Sequence, residues 1–216
     1  MNSLFDFDFD FNFNQNVIGT DEAGRGPAAG GVFASAVYFN NRDKNLIEEL
    51  SALNDSKKLT QKKREQLYPI ILKNTINSTV CIEVEEIEKN NILNCSLKAM
   101  KLACEDVIRC AKLDNFVVLV DGNRYIKNFS GRQQTIVKGD SKSASIAAAS
   151  ILAKVSRDNY MRELDKKFPQ YNWAKNAGYL TAEHIEAIEK FGTCKYHRQS
   201  FLKKIKAKQL TLGIGE

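Results

Sequence analysis

The sequence has little of the residue types on which disulfide frameworks, zinc sites and histidine-based catalysis depend. It contains 5 cysteines and 2 histidines among 216 residues. The cysteine count is odd, and no pair has the CxxC spacing of a typical zinc site. This pattern is typical of reduced thiols in the cytosol. Any metal ion would therefore be bound by carboxylates, which suit hard cations such as Mg²⁺ or Mn²⁺.

The sequence also predicts neither a membrane span nor a secretory leader. No apolar run approaches the length of a membrane span, and the opening MNSLFDFDFDFNFNQN lacks the basic and apolar segments of a signal peptide. We therefore expect a cytoplasmic protein without a membrane partner, and we expect a monomer. Residues 1–16 are interpreted as a low-complexity leader with no catalytic role, although strict alternation of Phe with Asp or Asn also fits a β-strand.

Basic residues outnumber acidic ones. Lys and Arg total 32 against 26 Asp and Glu, which gives a formal net charge of +6 and a pI of about 9.0. This balance favours a polyanionic partner such as a nucleic acid, although on charge alone a merely soluble basic protein fits equally well. With 43% hydrophobic residues, the chain can bury the core of one ordinary domain.

Predicted strands alternate with predicted helices, which indicates a layered α/β domain. Apolar runs predict strands at 17–20, 32–39, 79–84, 116–120 and 135–137. Helical periodicity predicts helices at 60–73, 91–111, 146–164, 181–190 and 199–208, with Ser141, Ser143 and Ser145 as candidate caps for the third of these. We place one domain with C-terminal helices at 17–202, followed by a basic tail at 203–216.

Acidic residues follow three of the predicted strands. Asp21 and Glu22 end the first strand, Asp121 follows the fourth, and Asp140 follows the fifth. Carboxylates gathered at the ends of neighbouring core strands would repel one another, and a bound divalent cation would remove that conflict. Metal ions held there would also support phosphodiester hydrolysis, because one activates a water and another stabilises the departing oxygen. A single acid at a strand end is more often a solvated loop residue, so the interpretation depends on the whole set.

Six motifs in a fixed order resemble those of the bacterial ribonuclease HII family over roughly residues 17–202. They are GTDEAGRGP at 19–27, NDSKKL at 54–59, VDGNR at 120–124, VKGDS at 137–141, AASILAKV at 148–155 with RD at 157–158, and GY at 178–179 with Thr181, His184, HR at 197–198 and SF at 200–201. The resemblance implies an α/β, RNase H-like fold, with a mixed central β-sheet flanked by helices and a helical C-terminal portion.

The resemblance also implies the chemistry. The catalytic set would be Asp21, Glu22, Asp121 and Asp140, with the first three holding Mn²⁺ or Mg²⁺. Such an enzyme would hydrolyse the RNA strand of RNA–DNA hybrids. It would also cut 5′ of single ribonucleotides embedded in duplex DNA, as in ribonucleotide excision repair. The products would carry 5′-phosphate and 3′-hydroxyl ends.

Reading embedded RNA requires detection of a 2′-hydroxyl. Gly24, Arg25 and Gly26 fit this task through their main chain, because glycine allows close approach to a ligand. Without the resemblance, this segment reads as a tight turn. Tyr179 resembles the family tyrosine that stacks near the RNA–DNA junction, and its alternative is a core aromatic residue.

Two lysines and two histidines have simpler interpretations. Lys57 and Lys58 resemble residues that contact phosphates, although a lysine pair is also an ordinary solvated surface. His184 and His197 are interpreted as structural. Asp158 stands four residues after Lys154, so we predict an ion pair along one helix face and leave Asp158 outside the catalytic set.

Three other identities make different predictions. Ribonuclease HIII usually has an extra N-terminal domain and lacks the GRG sequence, and a leader of about 16 residues is too short for such a domain. A non-catalytic nucleic-acid-binding relative should have lost at least one acid. A protein with a purely structural metal gives no reason for the GRG loop, the lysine pair and the basic tail to occur together.

The C-terminal tail is basic and ends in a short apolar motif. Lys190, Lys195, Arg198, Lys203, Lys204, Lys206 and Lys208 occur between Glu189 and Glu216 with no acid among them, which predicts a basic face that tracks a nucleic-acid backbone. Residues Gln209–Ile214 resemble a peptide that docks on the bacterial sliding clamp. Gly213 replaces the usual aromatic anchor, so we favour a plain chain end over a weak clamp contact.

Overall fold

The computed structural model describes residues 8–40, 44–50, 53 and 59–203. Its strands are β1 (Asn16–Ala23), β2 (Val32–Tyr38), β3 (Ile76–Ile82), β4 (Phe116–Asp121) and β5 (Gln133–Ile136). Its helices are α1 (Asp8–Phe11), α2 (Lys44–Glu49), α3 (Gln61–Asn74), α4 (Val84–Asn90), α5 (Ile92–Ala111), α6 (Ala144–Lys167), α7 (Trp173–Asn176) and α8 (Ala182–Phe191). None of the described helices is long and apolar enough to cross a membrane.

The described strands form one sheet in the order β3-β2-β1-β4-β5. β2 pairs antiparallel with both β1 and β3, while β4 pairs parallel with both β1 and β5. The sheet is therefore mixed, as predicted. The parallel pairs bring the carboxyl ends of β1, β4 and β5 to the same edge.

The sheet is covered by α5 on one face and by α6 on the other. Successive residues of a strand point to opposite faces, so neighbouring residues of β1 pack against different helices. Val17 packs with Ile146 of α6, whereas Ile18 packs in the cluster that contains Met100 of α5. α6 approaches β1 very closely. A Cβ at Gly19 would lie 2.3 Å from the backbone nitrogen of Ile146, so only glycine fits there.

Several predicted boundaries are wrong. β1 continues to Ala23 instead of ending at Asp21, because β2 pairs with it as far as Phe33. β3 begins at Ile76 and ends at Ile82, so the strand predicted at 79–84 overlaps the start of α4. At the C-terminus, residues 199–201 form a 3-10 turn instead of the start of a helix, and residues 204–208 lie outside the described residues.

The leader contacts the first turn of α6. The buried Asp10 carboxylate accepts hydrogen bonds from the Ser145 backbone N–H (3.1 Å) and hydroxyl (2.8 Å). An acidic side chain at this end of a helix is stabilised by the helix dipole. Phe9 and Phe13 pack against the core cluster that contains Ile146. Residues 8–11 are helical instead of extended, and residues 1–7 lie outside the described residues.

Candidate active site

The register of the sheet places two aspartates side by side. Thr20 of β1 is opposite Val120 of β4, so Asp21 and Asp121 are the next residues along two adjacent parallel strands. Asp21 is buried and Asp121 is half-buried. The two carboxylates therefore share one edge of the sheet, as the strand-end pattern predicts.

The third acidic position is tied to this edge by a backbone hydrogen bond. Asp140 lies in a 3-10 turn, Gly139–Ser141, which follows β5. The Gly139 N–H donates to Asp121 Oδ1 over 2.7 Å, and a Cβ on Gly139 would lie 3.1 Å from that oxygen. The turn therefore orients the Asp121 carboxylate, and Asp140 is the next residue after the Gly139 donor. The Asp140 side chain is buried.

The electrostatics of this edge disfavour a charged Asp21. Burial raises the pKa of the Asp21 carboxyl well above its usual value, and repulsion from Glu22 and Asp121 raises it further. Hydrogen bonds from the Ser150 hydroxyl and the Glu22 backbone N–H oppose this shift in part. The site therefore disfavours negative charge at Asp21 and would be relieved by a cation.

A groove of about 330 Å³ opens in front of these carboxylates. Its lining includes Asp21, Glu22, Gly24, Arg25, Gly26, Ser150, Lys154, Arg157 and Tyr179. Arg25 Nη1 contacts Glu22 Oε1 at 3.0 Å. The Tyr179 side chain is 52% exposed, so it is not a core aromatic residue. A Cβ on Gly26 would lie 3.3 Å from the Tyr179 ring, so the GRG segment packs closely beside that ring.

Two buried arginines hold the loop that carries the GRG segment. Arg198 Nε donates to the Gly30 carbonyl and its Nη1 donates to the Pro27 carbonyl, both at 2.8 Å. Arg157 Nη2 donates to the Ala29 carbonyl at 3.0 Å. Both guanidiniums are at most 2% exposed. Burial lowers the pKa of each, that of Arg198 to about 10, so Arg198 remains charged at neutral pH.

A larger groove, of about 820 Å³, lies between α4 and α6 but is not a comparable site. Its acidic residues already have partners within the fold. Glu83 accepts from the Tyr160 hydroxyl at 2.7 Å, and Glu88 accepts from the Ser200 hydroxyl at 2.7 Å. Among the described residues that line it, only Glu83 directly follows a strand, so the smaller groove is the better candidate for chemistry.

The structure brings most of the predicted site residues together. Asp21, Glu22, Gly24, Arg25, Gly26 and Tyr179 line one groove, Asp121 lies beside it, and Asp140 follows the turn bonded to Asp121. Lys57 and Lys58 lie outside the described residues. Within the described ranges, no three His, Cys, Asp or Glu side chains are close enough to form a metal cluster by themselves.

Other predictions concern residues near the groove. The Lys154–Asp158 ion pair is confirmed at 2.6 Å. The inclusion of Arg198 in an exposed basic face is wrong, because its side chain is buried. Roles for Arg157 and Ser150 were missed, although both stand in quoted motifs. Arg157 is flanked by Ser156 and Asp158, so no local pattern distinguishes it from a solvated arginine.

The family model described as Ribonuclease HII matches residues 18–204. The chain belongs to the ribonuclease HII family. Ribonuclease HII of Fusobacterium nucleatum subsp. nucleatum is 52% identical over 192 residues, which cover 88% of this chain and 87% of that protein. The match confirms the predicted enzyme class, an endoribonuclease that hydrolyses phosphodiesters. It also favours ribonuclease HII over ribonuclease HIII.

Solved structures confirm the RNase H-like fold. A chain of the PCNA:RNase HII complex from Archaeoglobus fulgidus superposes with a TM-score of 0.67 at 24% identity, covering 85% of this chain and 93% of that one. Bst-RNase HIII in complex with Mn²⁺ superposes with a TM-score of 0.64 at 19% identity, covering 82% of this chain and 63% of that one. Enzymes of the ribonuclease H family use divalent metals, which is compatible with the carboxylates at this edge of the sheet.

Proposed function

We propose that this ribonuclease HII family member hydrolyses the RNA strand of RNA–DNA hybrids and cuts 5′ of single ribonucleotides embedded in duplex DNA. The products would carry 5′-phosphate and 3′-hydroxyl ends. The observation that carries the proposal is the buried Asp21 carboxyl, which lies beside Glu22 and Asp121 in the groove that also contains Tyr179. Negative charge at the base of such a groove can face a polyanionic substrate only if cations separate them.

The catalytic set would be Asp21, Glu22, Asp121 and Asp140, with the first three holding a divalent metal. These residues fit a hard cation, because every donor is a carboxylate oxygen and the charged form of Asp21 is disfavoured without one. When bound, Mg²⁺ or Mn²⁺ would stabilise charge on the phosphate and lower the pKa of a coordinated water. Mn²⁺ accompanies one RNase HIII neighbour, and we propose that either ion serves here.

The protein itself would orient the acids before substrate arrives. The Gly139 N–H fixes the rotation of the Asp121 carboxylate, and the Ser150 hydroxyl does the same for Asp21. Glu22 is engaged by Arg25 at 3.0 Å. A substrate phosphate would compete for the Arg25 guanidinium and would release the Glu22 carboxylate, one of the groups that would hold the metal.

Substrate reading would fall to other residues that line the groove. The main chain of Gly24, Arg25 and Gly26 would contact the 2′-hydroxyl that distinguishes RNA from DNA. The half-exposed Tyr179 ring would stack at the junction between ribonucleotide and deoxyribonucleotide. Lys57 and Lys58 would contact backbone phosphates as point charges.

The biological setting follows from these substrates. We propose that the enzyme acts as a monomer in the cytoplasm and removes ribonucleotides from DNA, with residues 17–202 as its catalytic domain. One neighbour is an RNase HII in complex with PCNA, which is a reason to test the clamp hypothesis for Gln209–Ile214. The test is titration of the clamp from the same cell with the full chain and with a chain truncated after Lys208. Equal binding would leave this segment a plain chain end.

Three matched duplexes test the proposed reaction. One carries a single ribonucleotide, one is an RNA–DNA hybrid and one is entirely DNA. With Mg²⁺ or Mn²⁺, the first two should be cut and the third should be bound but left intact. Mapping the fragments should place the nick 5′ of the ribonucleotide with a 3′-hydroxyl end. Equal cutting of the all-DNA duplex would refute the proposal.

A further inference from the structure

A buried hydrogen-bonded cluster connects the C-terminal segment to the main chain of Tyr179. His184 and His197 are at most 1% exposed, and their Nε2 atoms are 3.2 Å apart. The Trp173 indole N–H donates to His184 Nε2 at 3.0 Å. His184 Nδ1 lies 2.9 Å from the Tyr179 carbonyl oxygen, and His197 Nδ1 lies 3.0 Å from the Cys194 backbone nitrogen.

The neighbours allow only one proton arrangement on His184. Because the indole of Trp173 can only donate, His184 Nε2 must be an acceptor. Because the Tyr179 carbonyl can only accept, His184 Nδ1 must carry the proton. The side chain is therefore neutral, with its proton directed at Tyr179. Burial, which lowers its pKa, agrees with this assignment.

The same reasoning fixes His197. The Cys194 backbone N–H donates to Nδ1, so the proton of a neutral His197 lies on Nε2. From there it points at His184 Nε2, whose lone pair is shared between His197 and Trp173. The donors thus run in one direction, from Cys194 through both rings to the Tyr179 carbonyl.

The hydrogen bond donated to the Tyr179 carbonyl matters because the Tyr179 ring is not packed in the core. Half of the side chain is exposed, so its orientation depends on the main chain that carries it. That main chain is a tight turn, with Gly178 at φ +82° and its carbonyl accepting from the Ala28 N–H at 2.9 Å. The Tyr179 carbonyl accepts from His184 and from the Thr181 N–H, also at 2.9 Å.

We propose a hydrogen-bond relay in which His197 and Trp173 hold His184 in the tautomer that donates to the Tyr179 carbonyl, so that His184 positions the Tyr179 ring for stacking on substrate. The two histidines are positioning residues and do not touch the substrate. The proposal rests on the substrate role proposed above for Tyr179. In this proposal the histidines act through one atom, the Tyr179 carbonyl oxygen. A general contribution to core packing would not depend on that one hydrogen bond.

Two substitutions at His184 separate these roles. The amide nitrogen of Asn stands near the position of Nδ1, so His184→Asn can still donate to the Tyr179 carbonyl. The amide of Gln stands near Nε2, so His184→Gln keeps a partner for Trp173 but loses that donor. Because the Trp173 indole itself donates to residue 184, the folding of both variants is checked by urea unfolding followed by circular dichroism.

The assay is kcat/KM on the single-ribonucleotide duplex. His184→Gln should lower kcat/KM roughly three- to tenfold, the effect of losing one hydrogen bond, while His184→Asn should stay within about twofold of wild type. If the relay acts through Tyr179, His184→Gln should have an effect below about twofold in a Tyr179→Ala background.

Three results would overturn the relay. Equal losses in His184→Gln and His184→Asn would show that the cluster serves folding alone. A full effect of His184→Gln in the Tyr179→Ala background would show that it acts elsewhere. If Tyr179→Ala itself retains full kcat/KM, the substrate role of Tyr179 fails and the relay fails with it, while the carboxylate chemistry is unaffected.

Discussion

The Asp21 carboxyl is 6% exposed and has two other carboxylates as neighbours. In a fold selected for stability alone, this position would carry an uncharged residue, because burial and repulsion both disfavour the charged form. The sequence predicts the conflict, since Asp21, Glu22 and Asp121 all stand at strand ends. It does not predict the Gly139 N–H or the Ser150 hydroxyl, which come from a turn and a helix distant in sequence.

Replacing Asp121 with Asn should relieve part of this repulsion in the metal-free protein. The Asn carbonyl oxygen can still accept from the Gly139 N–H, so the turn should be preserved. We expect a Tm in chelator that is unchanged or raised by about 2–4 °C, the shift that roughly 1 kcal/mol gives in a protein of this size. A clear fall in Tm would mean that the Asp121 charge stabilises the fold.

The buried histidines predict a pH dependence of stability. Burial and the neighbouring His184 lower the pKa of His197 to about 4, and burial also lowers that of His184. Below about pH 6.5 the unfolded chain therefore takes up protons that the folded chain does not. The free energy of unfolding should fall as the pH is lowered from about 6.5 towards 4. Burial raises the pKa values of Cys194 and Tyr171, so neither titrates in this window.

The measurement is urea unfolding at several pH values between 6.5 and 5, for wild type and His197→Gln. The free energy of unfolding should depend less steeply on pH in the variant than in wild type. The difference in slope should correspond to at most one proton, or about 1.4 kcal/mol per pH unit. Identical slopes would show that His197 is not held neutral in the folded protein.

At the scale of secondary structure, long periodic segments were predictable and short ones were not. The helices predicted at 60–73, 91–111 and 181–190 are confirmed within one residue at each end, since Thr60, Asn91 and Thr181 cap them with side-chain acceptors. α2 and α4 were missed, because helices of six and seven residues carry too few apolar positions to show a period.

The loop after β1 depends on contacts that no local pattern encodes. Its carbonyls at Pro27 and Gly30 are bound by Arg198, which is far away in sequence. The basic residues near the C-terminus predict a solvated face. They do not show that the side chain of one of them, Arg198, is buried. The GRG segment was therefore predictable as a loop, while the means of holding it was not.

Replacing Arg198 with Met should loosen the loop, because the methionine keeps the apolar stem but leaves the carbonyls at Pro27 and Gly30 without donors. We expect the free energy of unfolding to fall by at least about 2 kcal/mol and kcat/KM on the single-ribonucleotide duplex to fall about tenfold. Arg162→Met is the matched control, since Arg162 pairs with Glu65 at the surface. Equal effects of the two substitutions would contradict a positioning role for Arg198.

At the scale of the whole molecule, the net charge of +6 predicts affinity for nucleic acid but not where the charge lies. Lys190, Lys195 and Lys203 are exposed, so they remain candidates for contact with the backbone of a duplex. Lys204, Lys206 and Lys208 belong to the same basic tail and lie outside the described residues. We therefore expect the basic tail to contribute to duplex binding, and the carboxylates at the sheet edge to contribute to cleavage.

Removing residues 204–216 should weaken duplex binding and reduce its salt dependence. Three lysines are lost, so the slope of log affinity against log salt should fall by up to about 2.7, at roughly 0.9 for each phosphate contact. The measurement is binding to the all-DNA duplex between about 50 and 200 mM salt, with Lys112→Ala as a control. An unchanged slope would mean that the tail makes no phosphate contacts.

The most direct test of the catalytic assignment is single-turnover cleavage of the single-ribonucleotide duplex by Asp21→Asn and Asp121→Asn. Asp106→Asn is the matched control, because Asp106 pairs with Arg109 and the Ser78 hydroxyl away from the groove. We predict that both site variants bind the duplex at least as well as wild type and cut it more than about a hundredfold more slowly, because even outer partners of metal ligands contribute 10- to 100-fold. Asp106→Asn should cut at the wild-type rate. Cleavage near the wild-type rate by either site variant would contradict the assignment.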